Sequence, residues 1–130
     1  MPRFTRPDGS SVEISATSVA RARPTITNEI YEMPGHTGSA LFNPKQLILE
    51  AIDIVGPALK AELASFAKLH APNNANIWFE ANSVKNAEPP RSFETSENTR
   101  AVVVMGGVRQ RVSETVTEAQ AVIDAARASS

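Results

Sequence analysis

Three things are scarce in this chain: cysteine, aromatic residues and long apolar runs. The absence of cysteine excludes disulfides, thiolate metal sites and cysteine nucleophiles. Aromatic residues make up 5% of the 130 residues, so a core must consist mostly of valine, isoleucine, leucine and alanine. No apolar run approaches the roughly 20 residues that span a bilayer, and the first residues lack the apolar segment of a signal peptide. These features predict a cytoplasmic protein that does not contact a membrane, although the absence of cysteine is also compatible with an exported protein.

A strong charge of either sign is also lacking, because 13 basic residues face 14 acidic ones and the net charge is -1. Such a chain has no overall field that would attract nucleic acid or an anionic membrane. Its hydrophobic fraction of 42% and charged fraction of 21% are close to those of ordinary folded proteins. The length allows one domain, or two very small modules that share a core.

The first part of the chain has the pattern of short strands. Pro7-Asp8-Gly9 is a specific turn signal, since proline presets the first turn torsion and glycine accepts positive φ. Strands are expected around 3–6, 12–14 and 19–22, with another over 26–33 that ends at the loop 34–38.

A helical stripe follows this β region. Asn43-Pro44 resembles an N-cap followed by proline at the first helical position. Apolar residues then recur at steps of three and four, as on one face of a helix. They are Ile48, Ile52, Val55, Leu59, Leu63 and Phe66. Because the stripe keeps its phase across Gly56-Pro57, we expect one kinked helix over 44–68 rather than two helices.

That helix would be about 40 Å long at 1.5 Å per residue, which is more than a domain of this size needs to cover its own sheet. Helices of this kind often pack on a second copy of themselves. The stripe therefore predicts a self-association surface.

The last third contains a hairpin whose register follows from its turn. After the loop 70–74 and a strand at Asn76–Glu80, a polar loop is expected over 86–99. A two-residue turn at Gly106-Gly107 then pairs Met105 with Val108 and Val102 with Arg111.

One face of this hairpin is mostly apolar and faces the core. The opposite face carries Val102, Val104, Arg109 and Arg111. Valines beneath arginine stems indicate a face that is half covered by another element or another subunit, and we expect it to bind a partner. The alternative is an ordinary solvated sheet face with strand-favouring valines.

The chain ends in a second helix. Thr115 and Glu118 have the spacing of a capping box, with Ser113 as the competing cap. A core-facing stripe follows at Val116, Ala119, Val122, Ile123 and Ala126.

The two halves of the chain resemble each other at an offset of 65 residues. The first block is RPDGSSVEISATSVARARP and the second is APNNANIWFEANSVKNAEP. Identical residues coincide at Pro7 and Pro72, Ala16 and Ala81, Ser18 and Ser83, Val19 and Val84, Ala22 and Ala87, and Pro24 and Pro89. Since order and spacing both agree, we interpret the chain as a duplication.

A family resemblance accompanies this pattern. The turn TRPDG, the hairpin TRAVVVMGGVRQRV and the helix opening at Val112, Glu114, Val116 and Glu118 resemble the small FlbD-like bacterial proteins associated with flagella or swarming. The resemblance is best over 66–126 and weaker over 3–55, where PGHTGSALFNPKQ departs from it. It implies two tandem copies and a non-enzymatic, regulatory or accessory role.

No pattern in the sequence supports catalysis. The two histidines, His36 and His70, lie in different loops without further ligands at metal-binding spacing. Gly38-Ser39 is not part of a nucleophile elbow. We therefore predict no catalytic residue, no metal and no cofactor.

The arginines offer a possible nucleic-acid surface. Arg3, Arg6, Arg21 and Arg23 lie in the first half, and Arg91, Arg100, Arg109 and Arg111 in the second. They could form a strip that contacts RNA or an acidic protein. Few rings are interleaved for base stacking, so solvated surface charge is the simpler interpretation.

These patterns predict an α+β fold of two pseudo-repeated antiparallel β units with a long central helix and a C-terminal helix. The boundaries would be 1–58 for the first unit, 59–70 for a helical connection and 71–130 for the second unit, with one shared core. The expected function is a self-associating, dimeric or larger binding or accessory protein of FlbD-like type. The alternative is a structural subunit of a larger assembly, such as a phage virion or capsid protein.

Overall fold

A computed structural model describes residues 2–25, 38–42, 45–95, 98–105 and 108–128. Within these ranges the chain has ten strands in three antiparallel sheets and two α-helices. The predicted α+β fold is confirmed.

The same order of elements occurs twice. The first half contains β1 (Arg3–Thr5), β2 (Ser11–Glu13), the 3-10 helix η1 (Ala16–Ser18), β3 (Arg21–Pro24), β4 (Ser39–Phe42), β5 (Gln46–Ile48) and α1 (Ile52–Glu62). The second half contains β6 (Phe66–His70), β7 (Asn76–Glu80), η2 (Ala81–Ser83), β8 (Asn86–Glu88), β9 (Ala101–Met105), β10 (Val108–Val112) and α2 (Val116–Ala128). Only η3 (Ser92–Glu94) has no counterpart among the described residues. We call these halves unit 1 and unit 2, and the order of their elements supports the predicted duplication.

The first turn of each unit is built in the same way. In unit 1 the Arg6 N–H donates to the Ser10 carbonyl at 2.8 Å, and Gly9 has a φ of 89°. In unit 2 the Ala71 N–H donates to the Ala75 carbonyl at 2.8 Å, and Asn74 has a φ of 70°. Glycine and asparagine are the residues that accept this left-handed conformation most readily. The turns therefore match at the predicted offset of 65 residues.

A carboxylate holds the first strand of each unit to the segment before its helix. Glu50 accepts hydrogen bonds from the Thr5 N–H at 2.8 Å and from the Thr5 hydroxyl at 2.9 Å. Glu114 accepts one from the His70 N–H at 2.9 Å, and its other oxygen lies 2.7 Å from His70 Nδ1. The two arrangements, which we call the carboxylate clamps, are further support for duplication because they join residues far apart in sequence.

The buried side chains form two clusters, one in each unit, where a single shared core was predicted. The unit 1 cluster includes Phe4, Val19, Leu41 and Leu59, and also receives Phe66 and Trp78 from unit 2. The unit 2 cluster includes Leu69, Ile77, Phe79, Val84, Val103 and Ile123. Each helix covers the strands of its own unit, and α1 also contacts β6 and β7.

The units are joined through their sheets. Strands β5, β4 and β3 of unit 1 continue into β7 and β6 of unit 2, which gives a five-stranded sheet in the order β5-β4-β3-β7-β6. The equivalent strands β10, β9 and β8 form a separate three-stranded sheet, and β1 and β2 form a two-stranded one. The pairing of β3 with β7, which we call the joint, is the only backbone pairing of strands between the units in the described residues.

The predicted helix over 44–68 is wrong in its extent. Helix α1 covers Ile52–Glu62 and includes Gly56 and Pro57, so the proline does not end it. Gln46–Ile48 is instead strand β5, and Phe66–His70 is strand β6. The apolar residues of these strands face the core at positions that coincide with a helical period. The predicted cap at Asn43-Pro44 lies outside the described residues. The predicted helical connection over 59–70 is wrong, because β6 occupies its second half.

Other local predictions had mixed outcomes. The strand at Asn76–Glu80 is confirmed. The segment 86–99 is not a continuous loop, since it contains β8 and η3. The predicted strand over 26–33 lies outside the described residues.

The C-terminal hairpin and helix were predicted correctly. Val108 pairs with Met105 and Arg111 with Val102, and the turn at Gly106-Gly107 itself lies outside the described residues. At the start of α2 the Glu118 N–H donates to the Thr115 hydroxyl at 3.2 Å, and the Thr115 N–H donates to the Glu118 carboxylate at 3.0 Å. The capping box is therefore confirmed.

Candidate association site

The predicted self-association stripe does not lie on the surface. Five of its six residues are buried in the unit 1 core, and Leu63 packs against that core partly buried. The five are Ile48, Ile52, Val55, Leu59 and Phe66. Helix α1 is only 11 residues long, and its apolar face packs on the core of the same chain. The prediction of a self-association surface at this stripe is therefore wrong.

The predicted partner-binding face of the hairpin is covered by a segment of the same chain. Val102 is fully buried, and the Arg109 guanidinium forms two hydrogen bonds to Glu94, at 2.8 and 2.9 Å. A third bond, of 2.8 Å, joins Arg109 to Glu88. Arg111 donates to the Phe93 carbonyl at 3.2 Å. The arginines therefore hold the η3 segment on the sheet. The face is covered by another element of the same chain rather than by another subunit.

This ion cluster shifts the titration of its members. The Arg109 hydrogen bonds lower the pKa of Glu94 to about 2, and the Arg91 N–H that Glu94 accepts acts in the same direction. Hydrogen bonding to Arg109 also lowers the pKa of Glu88. Both carboxylates, in turn, raise the pKa of Arg109 above its ordinary value. The cluster is thus ionised throughout the physiological range.

The joint shows how one unit accepts a strand from another. Arg21 lies opposite Phe79 and Ala22 opposite Trp78, and the Glu80 N–H donates to the Ala20 carbonyl at 2.9 Å. The indole of Trp78 lies against Gly56 of α1, where a Cβ atom would come within 1.9 Å of its Nε1. Glycine at this helix position therefore makes room for the incoming strand.

A buried arginine supports the joint from the other side. Arg21 is 8% exposed and donates from Nη1 to Gln110 Oε1 on β10 of unit 2. Its guanidinium also lies 4.1 Å from the ring centroid of Phe42, within the range of a cation–π contact. Strand β3 therefore pairs with β7 and also reaches β10 through the Arg21 side chain.

In unit 1, no strand of the described residues pairs with the corresponding edge. Strand β2 is the counterpart of β7, and it pairs with β1 alone. The Ile14 N–H points to β1, where it donates to the Pro2 carbonyl at 3.0 Å, so the Glu13 N–H points to the opposite side. A groove of about 220 Å³ lies along this edge and is lined by residues that include Val12, Ile14, Leu41 and Gln46.

Strand β8 is the counterpart of β3, and its outer edge is occupied by side chains of α2. The Ala87 N–H donates to Gln120 Oε1 at 2.9 Å. Arg127 donates to the carbonyls of Val84 and, at 3.4 Å, Lys85. The buried Oδ1 of Asn86 accepts no hydrogen bond from the described residues. No strand pairs with this edge within the described ranges.

The sequence does not predict these edges, because pairing between strands that are far apart in the chain leaves no local pattern. One signal was available: glycine is unfavourable inside a helix, and Gly56 interrupts a helical stripe. A glycine at such a position indicates that another group approaches the helix closely.

The remaining predicted residues have structural partners. Arg3 forms an exposed ion pair with Glu13 at 2.9 Å, so the basic residues do not make a continuous free strip. Ser39 is buried and donates to the Glu50 carbonyl, which is a structural role. His70 belongs to a carboxylate clamp, and His36 lies outside the described residues. Among the residues that were described, no group of three or more histidines and carboxylates could hold a metal ion.

No helix within the described ranges is both long enough and apolar enough to pass through a bilayer. Comparison of the chain with protein-family models, with curated proteins and with solved structures gives no match. The resemblance to FlbD-like proteins accordingly remains a prediction from the motifs.

Proposed function

We propose that this chain is a non-enzymatic protein that associates with itself through the edges of its sheets. The observation that carries the proposal is the joint, in which two units of the same construction pair edge to edge within one chain. Repetition of one unit with one kind of contact is how homo-oligomers are built, and the duplicated chain contains the first such contact already. An unpaired strand edge is a template for another strand.

The proposed setting is a bacterial cytoplasm, where the protein acts as an accessory or binding protein of the FlbD-like type. The resemblance of the turn, hairpin and helix motifs supports this assignment. Engagement of Arg109 and Arg111 within the chain makes RNA a weaker candidate partner than a second copy.

A structural subunit of a larger assembly, such as a virion, is the second candidate. One observation favours it: the joint is heterologous, since it pairs β3 of one unit with the different strand β7 of the other. Heterologous contacts produce rings when the rotation closes and open filaments when it does not.

Light scattering and electron microscopy on the purified protein test the proposal. A discrete dimer supports the accessory role, and rings, shells or tubes support the structural one. A single species of 13.9 kDa at every concentration would contradict both.

A further inference from the structure

We propose that β8 of one copy adds to β2 of a second copy, at the edge of β2 with which no described strand pairs, as an antiparallel strand with Asn86 opposite Ile14 and Ala87 opposite Glu13. This inference rests on the proposed self-association and specifies its partner, its two edges and its register.

The register follows from the joint within the chain. There, Arg21 lies opposite Phe79 and Ala22 opposite Trp78. Moving each β3 residue forward by the offset of 65 residues gives Asn86 and Ala87, and moving each β7 residue back by the same offset gives Ile14 and Glu13. In the proposed contact, unit 2 of one copy would therefore pair with unit 1 of the next copy in the register by which unit 1 pairs with unit 2 within the chain.

The groove beside β2 corresponds in position to the edge of β7 with which β3 pairs. At the joint, Gln110 accepts a hydrogen bond from Arg21 of β3. Gln46 lines the groove in unit 1 and has the corresponding position on β5. Gln46 faces Leu41, which pairs with Ala22, just as Gln110 faces Val103, which pairs with Ala87. Asn86, the counterpart of Arg21, has a buried carboxamide oxygen that accepts no hydrogen bond from the described residues. A glutamine side chain can supply this donor.

Among the positions that differ between the joint and the proposed contact, two that touch each other change together. Trp78 lies against Gly56 in the joint. Their counterparts are Glu13 on β2 and Gln120 on α2, where Gln120 now accepts from the Ala87 N–H. On association the Glu13 carbonyl would take over this N–H, and the freed Gln120 amide could donate to the Glu13 carboxylate. An apolar contact is therefore replaced by a polar one.

This exchange predicts a weak and reversible contact between copies. Gln120 competes with the incoming strand for the Ala87 N–H, so the edge is protected while the protein is dilute. Glu13 must also leave its ion pair with Arg3, but that pair is exposed and contributes little. We consequently expect association only at high protein concentration, whereas the pairing of β3 with β7 within the chain remains formed at every concentration.

Substitution of Glu13 tests the contact. Glu13→Pro removes an N–H that points away from β1, so the β1-β2 pair is retained while a bond to the new strand is lost. Glu13→Gln removes the same ion pair with Arg3 but keeps the N–H, and is the matched control. In sedimentation velocity over a concentration series, we expect Glu13→Pro to weaken association at least about tenfold and Glu13→Gln to stay within about threefold of the parent.

Three outcomes are distinguishable. If the parent chain stays a monomer at every concentration, both the proposed function and this inference fail. If the parent associates and Glu13→Pro associates equally well, the inference alone fails. If Glu13→Pro loses association while its circular dichroism and thermal melt stay close to those of Glu13→Gln, the inference is supported.

Cross-linking gives a second test that does not depend on a proline variant. Because the chain has no cysteine, Ile14→Cys and Asn86→Cys each contain one thiol. Mixed under oxidising conditions, they are expected to form a linked dimer of two different chains, since facing residues of an antiparallel pair are close enough for a disulfide. Ser10→Cys, in the exposed turn before β2, replaces Ile14→Cys in the control mixture. Equal cross-linking in both mixtures, or none in the first, would overturn the register.

Discussion

Substitution of Gly56 by alanine should destabilise the protein, although the same change normally stabilises a helix. A Cβ atom on Gly56 would lie 1.9 Å from Trp78 Nε1 and 2.1 Å from Cε2, whereas real contacts of this kind do not fall below 3.0 Å. The indole would have to move by more than 1 Å. It cannot do so freely, because Trp78 is only 9% exposed and belongs to a strand that is paired on both sides.

The expected loss can be estimated from two opposing effects. Alanine gains about 1 kcal/mol over glycine in a helix interior. Overpacking of a filled core costs about 1–3 kcal/mol, and this clash with a ring is at the upper end. The net loss is then about 2 kcal/mol, or a decrease of roughly 6–10 °C in Tm for a chain of this length.

Thermal unfolding monitored by circular dichroism measures this loss directly. The double variant Gly56→Ala with Trp78→Leu is the control, because removal of the indole removes the clash and should make the alanine stabilising. A Gly56→Ala variant that melts above the parent would refute the placement of Trp78 against α1, and with it the packing of the joint.

Three further predictions concern the ion cluster, the carboxylate clamps and the left-handed turn. Since the pKa of Glu94 is about 2 in the folded state, below its ordinary value of 4.5, the stability due to this cluster is complete above about pH 5 and is lost as the pH falls toward 2. Urea titrations should show that Arg109→Gln loses part of this acid dependence, and an unchanged pH profile would contradict it. Glu50→Ala and Glu114→Ala should each lower the free energy of unfolding by about 2 kcal/mol, because each leaves a backbone N–H of the first strand of its unit without an acceptor. Chemical denaturation measures both losses, and widely different values would argue against equivalent clamps. Asn74→Gly should be nearly neutral and Asn74→Ala should cost about 1 kcal/mol in the same assay, and equal melts would show that residue 74 does not adopt a positive φ.

Local sequence patterns predicted the parts of the fold that depend on neighbouring residues. Two glycines in the sequence predicted a two-residue turn and hence the pairing of Met105 with Val108, and this pairing is observed. The cap at Thr115 is likewise a contact over three residues. The repeat could also be found, because both copies kept the turn and the small residue at the start of each 3-10 helix, Ala16 and Ala81.

Periodicity was misleading where strands and a helix follow each other closely. Ile48 of β5 and Phe66 of β6 both lie in the unit 1 core. They fit the helical stripe only because their spacing from the apolar residues of α1 happens to equal the spacing along one face of a helix. The association stripe was wrong for the same reason, since its residues fill the core of unit 1. The joint could not be predicted, because the pairing of Ala22 with Trp78 depends on the relative placement of two units and leaves no local pattern.

The joint between the units is the basis of the whole account, and an NMR measurement tests it most directly. Residues facing each other in an antiparallel sheet have closely spaced backbone atoms. We therefore predict a Hα–Hα NOE between Arg21 and Phe79, together with slower hydrogen exchange at the Ala22 amide, inside the sheet, than at the Ala87 amide, which is bonded to a side chain. NOEs confined to each half of the chain, with equal exchange at the two amides, would contradict the edge-to-edge pairing of the units.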